Sequence, residues 1–262
     1  MILSSPASLN YIPKRIISVV PSQTELLFYL GLEEEIIGIS KFCIHPENWF
    51  KTKTRIGGTK TLDIQKIIQL NPDLIIANNE ENIKEQVEML AENFPVWVTD
   101  VRDLGDSIKM INDIGQLLGK EQETDSLVVS IVNAFTSLKT EIKALRITPL
   151  RTAYLIWKNP YITVGGDTYI NEMMKRTGLK NIFEDEKRYP EVSIDQLKKM
   201  NCELVLLSSE PFPFKQKHLS ELQAELPDVK ILLADGEMFS WYGSRLLEAA
   251  SYFKRFVKNF EL

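Results

Sequence analysis

Cysteine and histidine are scarce in this 262-residue chain, with two of each. Cys43 and Cys202 lie far apart and in no CxxC pattern, so neither a disulfide framework nor a cysteine zinc site is indicated. Cys202, just ahead of an apolar run, reads as a small buried residue. No apolar stretch approaches the ~20 residues of a membrane-spanning helix. Positive charge is not in excess either. Lys and Arg number 31 against 36 Asp and Glu, and the net charge of -5 argues against nucleic acid as a partner. The opening MILSSPASLNYIPKR has no apolar segment of the secretory type. The expected location is therefore cytoplasmic for the chain as it stands, or periplasmic if Met1 begins a trimmed mature form. What remains is an ordinary globular composition, 44% hydrophobic and 26% charged, in a chain long enough for one large α/β domain or two lobes.

Glycine and proline are absent from Lys120 to Thr148, near the middle of the sequence. Apolar residues recur there at Leu127, Val128, Ile131, Val132, Phe135, Leu138, Ile142 and Leu145, the spacing of one helix face. Gly119 and Pro149 bracket the stretch with residues that interrupt helices. At ~1.5 Å per residue the helix is a rod of roughly 35–40 Å, long enough to connect two lobes.

The sequences on its two sides echo each other. Before it, Arg15–Val20 (RIISVV) predicts a buried strand. Ser22 and Glu25 read as a capping box opening a helix that Gly31 ends. Ile36–Ser40 predicts a second strand, and residues 41–60 a long irregular segment of the kind that is often functional. Asp63 opens a helix, Leu74–Ala77 is a strand, Asn78–Asn82 a polar loop and Val96–Thr99 a strand, and Asp106 caps a further helix. After it come a strand at Thr152–Trp157 and a helix ending at Gly178. A second capping box follows at Ser193 and Gln196, then strands at Leu204–Leu207 and Ile231–Leu233, and a last helix from about Ser244 to Val257. The clearest echo sets DIQKIIQLNPDLIIA, from Asp63, against SIDQLKKMNCELVLL, from Ser193. The expected fold is α/β: two similar lobes with mainly parallel sheets, joined by one long helix, with a ligand cleft between the lobes. The expected boundaries are 1–118 for the N-terminal lobe, 119–148 for the bridging helix and 149–262 for the C-terminal lobe.

In such sheets ligands bind beyond the carboxyl ends of the strands. Those loops supply Ser22, Gln23, His45, Gly58, Thr59, Lys60, Glu80, Trp157, Tyr161, Glu210, Phe212, Phe214, Glu237, Phe239, Trp241 and Tyr242 as candidates. The aromatics stand on segments with loop-like flanks, which suits either a wall against a flat, partly apolar ligand or a cover for the neighbouring core. His45 could ligate a metal or act as a base, or be a hydrogen-bonded loop residue. Gly57-Gly58-Thr59-Lys60 could meet an anionic group but lacks the full phosphate-loop spacing. His218, in the polar run KQKHLSEL, reads as solvated. No nucleophile–base pair or metal-ligand cluster emerges, and the acids Glu80, Glu81, Glu210, Asp235 and Glu237 read equally as solubilising charge, so no enzyme chemistry is indicated.

On the residues RIISVVPSQTELLFYLGL, the NPDLIIA strand with its preceding helix, the long central helix and the closing WYGSRLLEAASYF, the chain resembles the periplasmic binding proteins with a single bridging helix. The resemblance is to the branch serving cobalamin, iron–siderophore and haem, and it covers residues 15 to 257. It implies a non-enzymatic binding protein for a corrinoid, haem or iron chelate, needing no cofactor of its own, with lobes that move little and an ABC importer permease as partner. It also implies a Glu two residues after a helix cap in each lobe for docking. Here those positions are Gln65 and Asp195, from which weak docking is expected. The alternative is a cytoplasmic enzyme or cofactor-handling protein that kept the fold without the transporter.

Overall fold

The structure is a computed structural model that describes residues 1–145 and 148–258. The chain divides into two compact units. The first holds Met1–Ser130 with Tyr242–Arg245, and the second holds Ile131–Trp241 with the chain from Leu246 onward.

The first unit runs β1 (Ile16–Ser18), α1 (Pro21–Tyr29), β2 (Ile36–Ile39), α2 (Glu47–Thr52), β3 (Thr54–Arg55), β4 (Gly57–Gly58), β5 (Thr61–Leu62), α3 (Ile64–Leu70), β6 (Leu74–Asn78), α4 (Lys84–Ala91), β7 (Val96–Thr99) and α5 (Leu104–Leu118). Its sheet has the order β3-β2-β1-β6-β7 with every pair parallel. All residues of β1 and β6 are buried, as expected of strands covered on both faces. Ile17, Val19, Ile75, Ala77 and Val96 pack with Ile67, Val87 and Leu90 from the helices into one core cluster.

The expected bridging segment forms α6 (Glu121–Leu145), 25 residues or roughly 37 Å of helix, and the division between units falls inside it after Ser130. Leu127, Ile131, Phe135 and Leu138 form its buried stripe, while Val132 of the predicted face is 42% exposed. Arg146 and Ile147 of the expected bridge, and residues 259–262 of the expected C-terminal lobe, lie outside the described residues.

The second unit runs β8 (Arg151–Leu155), β9 (Tyr161–Ile162), α7 (Tyr169–Arg176), β10 (Lys180–Asn181), β11 (Glu191–Val192), α8 (Ile194–Lys199), β12 (Leu204–Ser208), α9 (Gln216–Glu225), β13 (Lys230–Ala234), α10 (Gly236–Ser240) and α11 (Leu246–Lys258). Its sheet, β10-β8-β12-β13, is again all parallel. Ala153, Leu155, Val205, Leu207 and Ile231 pack with Leu197 and Leu222.

Apart from the two-residue edge strand β3, the two sheets share one strand order, second-first-third-fourth in chain sequence, and the echo extends to side chains. Asn71 and Asn201 take left-handed conformations, φ 45° and 49°, just past α3 and α8. The Arg15 guanidinium donates to the carbonyls of Leu70 and Asn71, and that of Arg151 to Met200 and Asn201, so each arginine satisfies the orphan end of the equivalent helix. Asp73 accepts the Lys14 and Arg15 N–H groups at 2.8 Å, and Glu203 accepts that of Arg151 at 2.8 Å.

Several local expectations are corrected. Pro21 occupies the first helical position of α1, which moves the cap to Val20 and places Ser22 inside the helix without a capping bond. The Glu25 carboxylate is taken instead by Arg245. Asp103, not Asp106, caps α5, accepting the Asp106 N–H at 2.8 Å. Residues 41–60 are not an irregular segment: they contain α2, β3 and β4, the first strand of the β4/β5 hairpin, with Trp49 fully buried. The capping box of Ser193 and Gln196 and the cap of Asp63 form as expected.

Candidate functional site

In each sheet the strand order reverses at one place, between β1 and β6 and between β8 and β12. Chain leaving neighbouring strands in opposite directions opens a crevice there, beyond the carboxyl ends. The loops around these two switch points carry half of the candidate residues.

In the first unit a polar network closes the ends of β1, β6 and β7. The Thr99 hydroxyl donates to the Ala77 carbonyl at 3.1 Å and accepts from Gln23 Nε2 at 2.5 Å and Asn78 Nδ2 at 3.2 Å. Asn78 Oδ1 accepts the N–H groups of Glu80 and Glu81 at 2.8 and 3.0 Å, an Asx turn that holds the loop after β6. The Tyr242 hydroxyl reaches Glu81 Oε1 at 3.4 Å. Burial, then the Glu81 charge, push that phenol well above its ordinary pKa, so it stays neutral. Gln23 and Ser22 are both buried, and their side chains lie within hydrogen-bonding reach of the same phenol.

Gly58 and Thr59 sit in the β4/β5 hairpin. Lys60 donates to the Glu80 carbonyl at 2.7 Å and the Thr59 carbonyl accepts from Asn82 at 3.0 Å. This hairpin therefore fastens to the loop after β6, and its lysine is engaged with the protein. A side chain on Gly57, at φ +95°, would meet the Thr61 carbonyl at 2.3 Å, which explains glycine at that turn. His45 is half-buried and has a partner within the protein. Among the described residues no group of three His, Cys, Asp or Glu side chains is placed to hold a metal ion. The Cys43 thiol is fully buried beside Thr24 and Ser40, and burial pushes its pKa up to about 11.

In the second unit a short hairpin presents Trp157. Its carbonyl accepts the Ile162 N–H at 3.2 Å, and the Ile156 carbonyl accepts the Phe212 N–H at 3.2 Å, which joins the loops after β8 and β12. The indole is 40% exposed and meets Phe212 edge-on at 5.7 Å. Tyr161 is partly buried against the same core. Glu210, two residues past β12, and Glu237, in the first turn of α10, are half-buried. Burial raises the Glu210 pKa despite hydrogen bonds from Ser240 and Trp241.

The aromatic set separates on inspection. Phe214 and Phe239 are core residues, 5% and 0% exposed. Phe214 packs on Phe212 at 4.7 Å, and Phe239 packs on Phe253 at 4.8 Å and Tyr154 at 5.1 Å. Phe239 belongs to α10, a five-residue helix in what reads from sequence as a loop. Trp241 is 7% exposed, with its indole N–H given to Glu210, and Tyr242 is 5% exposed. His218 is not solvated: it is 8% exposed, its Nδ1 accepts the Lys215 N–H at 3.0 Å, and its ring lies against Phe212 and Phe214. Sequence reasoning missed Phe42 and Ile44, 50% and 43% exposed on the loop after β2. It also missed Thr99 and Ser240, whose hydroxyls orient Gln23 and Glu210 and leave no pattern in sequence. Gln65 and Asp195 are both exposed and occupy the same position, second in α3 and second in α8.

Comparison with known proteins fits this architecture. The chain is 29% identical over 208 residues to the vitamin B12-binding protein of Vibrio vulnificus, covering 75% of this chain and 72% of that one. It is 24% identical over 246 residues to the ABC transporter substrate-binding lipoprotein YvrC of Bacillus subtilis, covering 90% and 77%. Among solved structures, the periplasmic vitamin B12-binding protein BtuF of Vibrio cholerae superposes with a TM-score of 0.79 at 21% identity, over 94% of this chain and 97% of that one. The periplasmic heme-binding protein RhuT of Roseiflexus gives 0.82 at 19% identity, over 94% and 98%. The family model described as Periplasmic binding protein matches residues 16–228, well over half of the sequence. With a match of that length, and two parallel sheets that share one strand order apart from β3, the chain belongs to the periplasmic binding protein family.

Proposed function

We propose that this chain is the substrate-binding component of an ABC importer for a corrinoid, haem or ferric siderophore, and that it acts by binding rather than by catalysis. The observation that carries the reading is the exposed Trp157 on its hairpin, backed edge-on by Phe212 at the switch point of the second sheet, in a chain of this family. An indole held open to solvent on a hydrogen-bonded turn offers an apolar face to a flat ligand. The relatives named above as B12- and heme-binding proteins support the ligand class. Their names, periplasmic or lipoprotein, also support a location outside the cytoplasm and lend nothing to the cytoplasmic expectation. The expectation of weak docking from Gln65 and Asp195 has no support from relatives that include an ABC transporter substrate-binding lipoprotein, so a permease is kept as the partner. His45 is kept as a candidate contact to a ligand's metal.

Trp157→Ala tests the reading. It is expected to weaken binding of the ligand the wild type takes by about tenfold, since a covered aromatic face contributes ~1–3 kcal/mol. The half-exposed position predicts little change in unfolding temperature. Unchanged affinity, measured by equilibrium dialysis, would place the ligand elsewhere.

A further inference from the structure

Glu210 lies two residues past β12 and is gripped on one side only. Its Oε1 accepts from Ser240 Oγ at 2.5 Å and from Trp241 Nε1 at 3.0 Å. Its backbone is fixed on Ser208, whose hydroxyl donates to the Glu210 carbonyl at 2.6 Å and accepts the Glu210 N–H at 3.3 Å. Oε2 has no hydrogen-bond or ion-pair partner among the described residues. Asp235 and Glu237 add negative potential at this carboxylate. Two residues further on, Phe212 stands against the exposed Trp157. An oriented acceptor with one open oxygen thus stands on the same loop as Phe212, two residues before it.

We propose that Glu210 determines specificity: its open oxygen accepts a hydrogen bond from an N–H or O–H on the rim of a ligand whose apolar body lies on Trp157 and Phe212, and it turns away ligands that present a carboxylate there. The inference rests on the chelate-binding reading given above. Within that class it separates a macrocycle fringed with carboxamides from one carrying carboxylates, because the first supplies donors and the second brings like charge to an acceptor.

Glu210→Gln tests it at almost unchanged volume. The Trp241 indole can only donate, so the inward atom of the new amide must be its oxygen, and its NH₂ turns outward. The outward group changes from acceptor to donor. Wild type and variant are titrated with cyanocobalamin and with hemin. Wild type is expected to prefer cyanocobalamin. In the variant cyanocobalamin binding weakens by about tenfold while hemin binding strengthens, so the ratio of the two Kd values shifts by more than tenfold. A ratio that does not move, whatever happens to each affinity, overturns the proposal, since a merely supporting residue would affect both ligands alike. If the variant fails to fold, wild type with hemin dimethyl ester decides. Removing the carboxylates should tighten binding relative to hemin, and equal affinity overturns the proposal. Wild type that prefers hemin to cyanocobalamin also overturns it while leaving the chelate-binding reading intact. Wild type that binds neither these ligands nor a ferric siderophore overturns that reading itself.

Discussion

Arg245→Ala is expected to lower the free energy of unfolding by about 3 kcal/mol, because it strips a nearly buried carboxylate of its fork of donors. Arg245 is 7% exposed, and its guanidinium donates to both oxygens of Glu25, Nε to Oε2 at 2.9 Å and Nη2 to Oε1 at 2.5 Å. The pair spans 220 residues of sequence. It fastens Tyr242–Arg245, the late segment that belongs to the first unit, onto α1. Gly243, at φ +89°, brings that segment against Leu26, where an added Cβ would sit at 3.3 Å. Arg245→Lys keeps the charge but not the fork, so a smaller loss is expected. Urea denaturation measures both. A loss below ~1 kcal/mol in Arg245→Ala would show that solvent replaces the guanidinium at little cost, as at exposed ion pairs.

Phe239→Ala is expected to cost about 3–5 kcal/mol of stability and to leave the ligand affinity of the folded fraction unchanged. The ring is fully buried among Tyr154, Tyr252, Phe253 and Phe256, with centroids at 5.1, 6.3, 4.8 and 5.9 Å. Truncation opens a cavity that a helix as short as α10 cannot close by moving. Thermal unfolding and a binding titration together separate core from ligand wall. A variant of full stability with lost affinity would return Phe239 to the site.

Periodicity and punctuation made the larger architecture legible in the sequence. The stretch without glycine or proline is α6, and the echo from Asp63 and Ser193 marks α3–β6 and α8–β12, third-strand positions in two sheets of one order. What could not be read depended on distant partners or on elements too short to have a period. The capping box at Ser22 and Glu25 has the right spacing, but Pro21 starts the helix two residues early and Arg245 claims the glutamate. Two aspartates three residues apart, Asp103 and Asp106, carry the same local signal, and only the structure shows which of them caps α5. Two-residue strands such as β9 and β11 form a ribbon through backbone pairing, which no composition announces.

The candidate site was legible as a set of loops but not as individual side chains. Strand ends predict where a ligand is met, and Trp157 and Glu210 stand there. Whether an aromatic on such a loop faces out or in is decided by what lies beneath it. Phe214 and Trp157 look alike in sequence, yet one fills the core beside His218 and the other is 40% exposed. His218 was misread for the same reason: its neighbours in sequence are charged, while its neighbours in space are Phe212 and Phe214.

The central claim, that this chain binds a metal chelate, is tested most directly by titrating the wild-type protein with cyanocobalamin, hemin and a ferric siderophore while following tryptophan fluorescence. Trp157, open to solvent at the second switch point, should report contact. Saturable one-site quenching by at least one of the three, reduced in Trp157→Ala, is the predicted result. Fluorescence that none of the three changes beyond inner-filter absorption would contradict it.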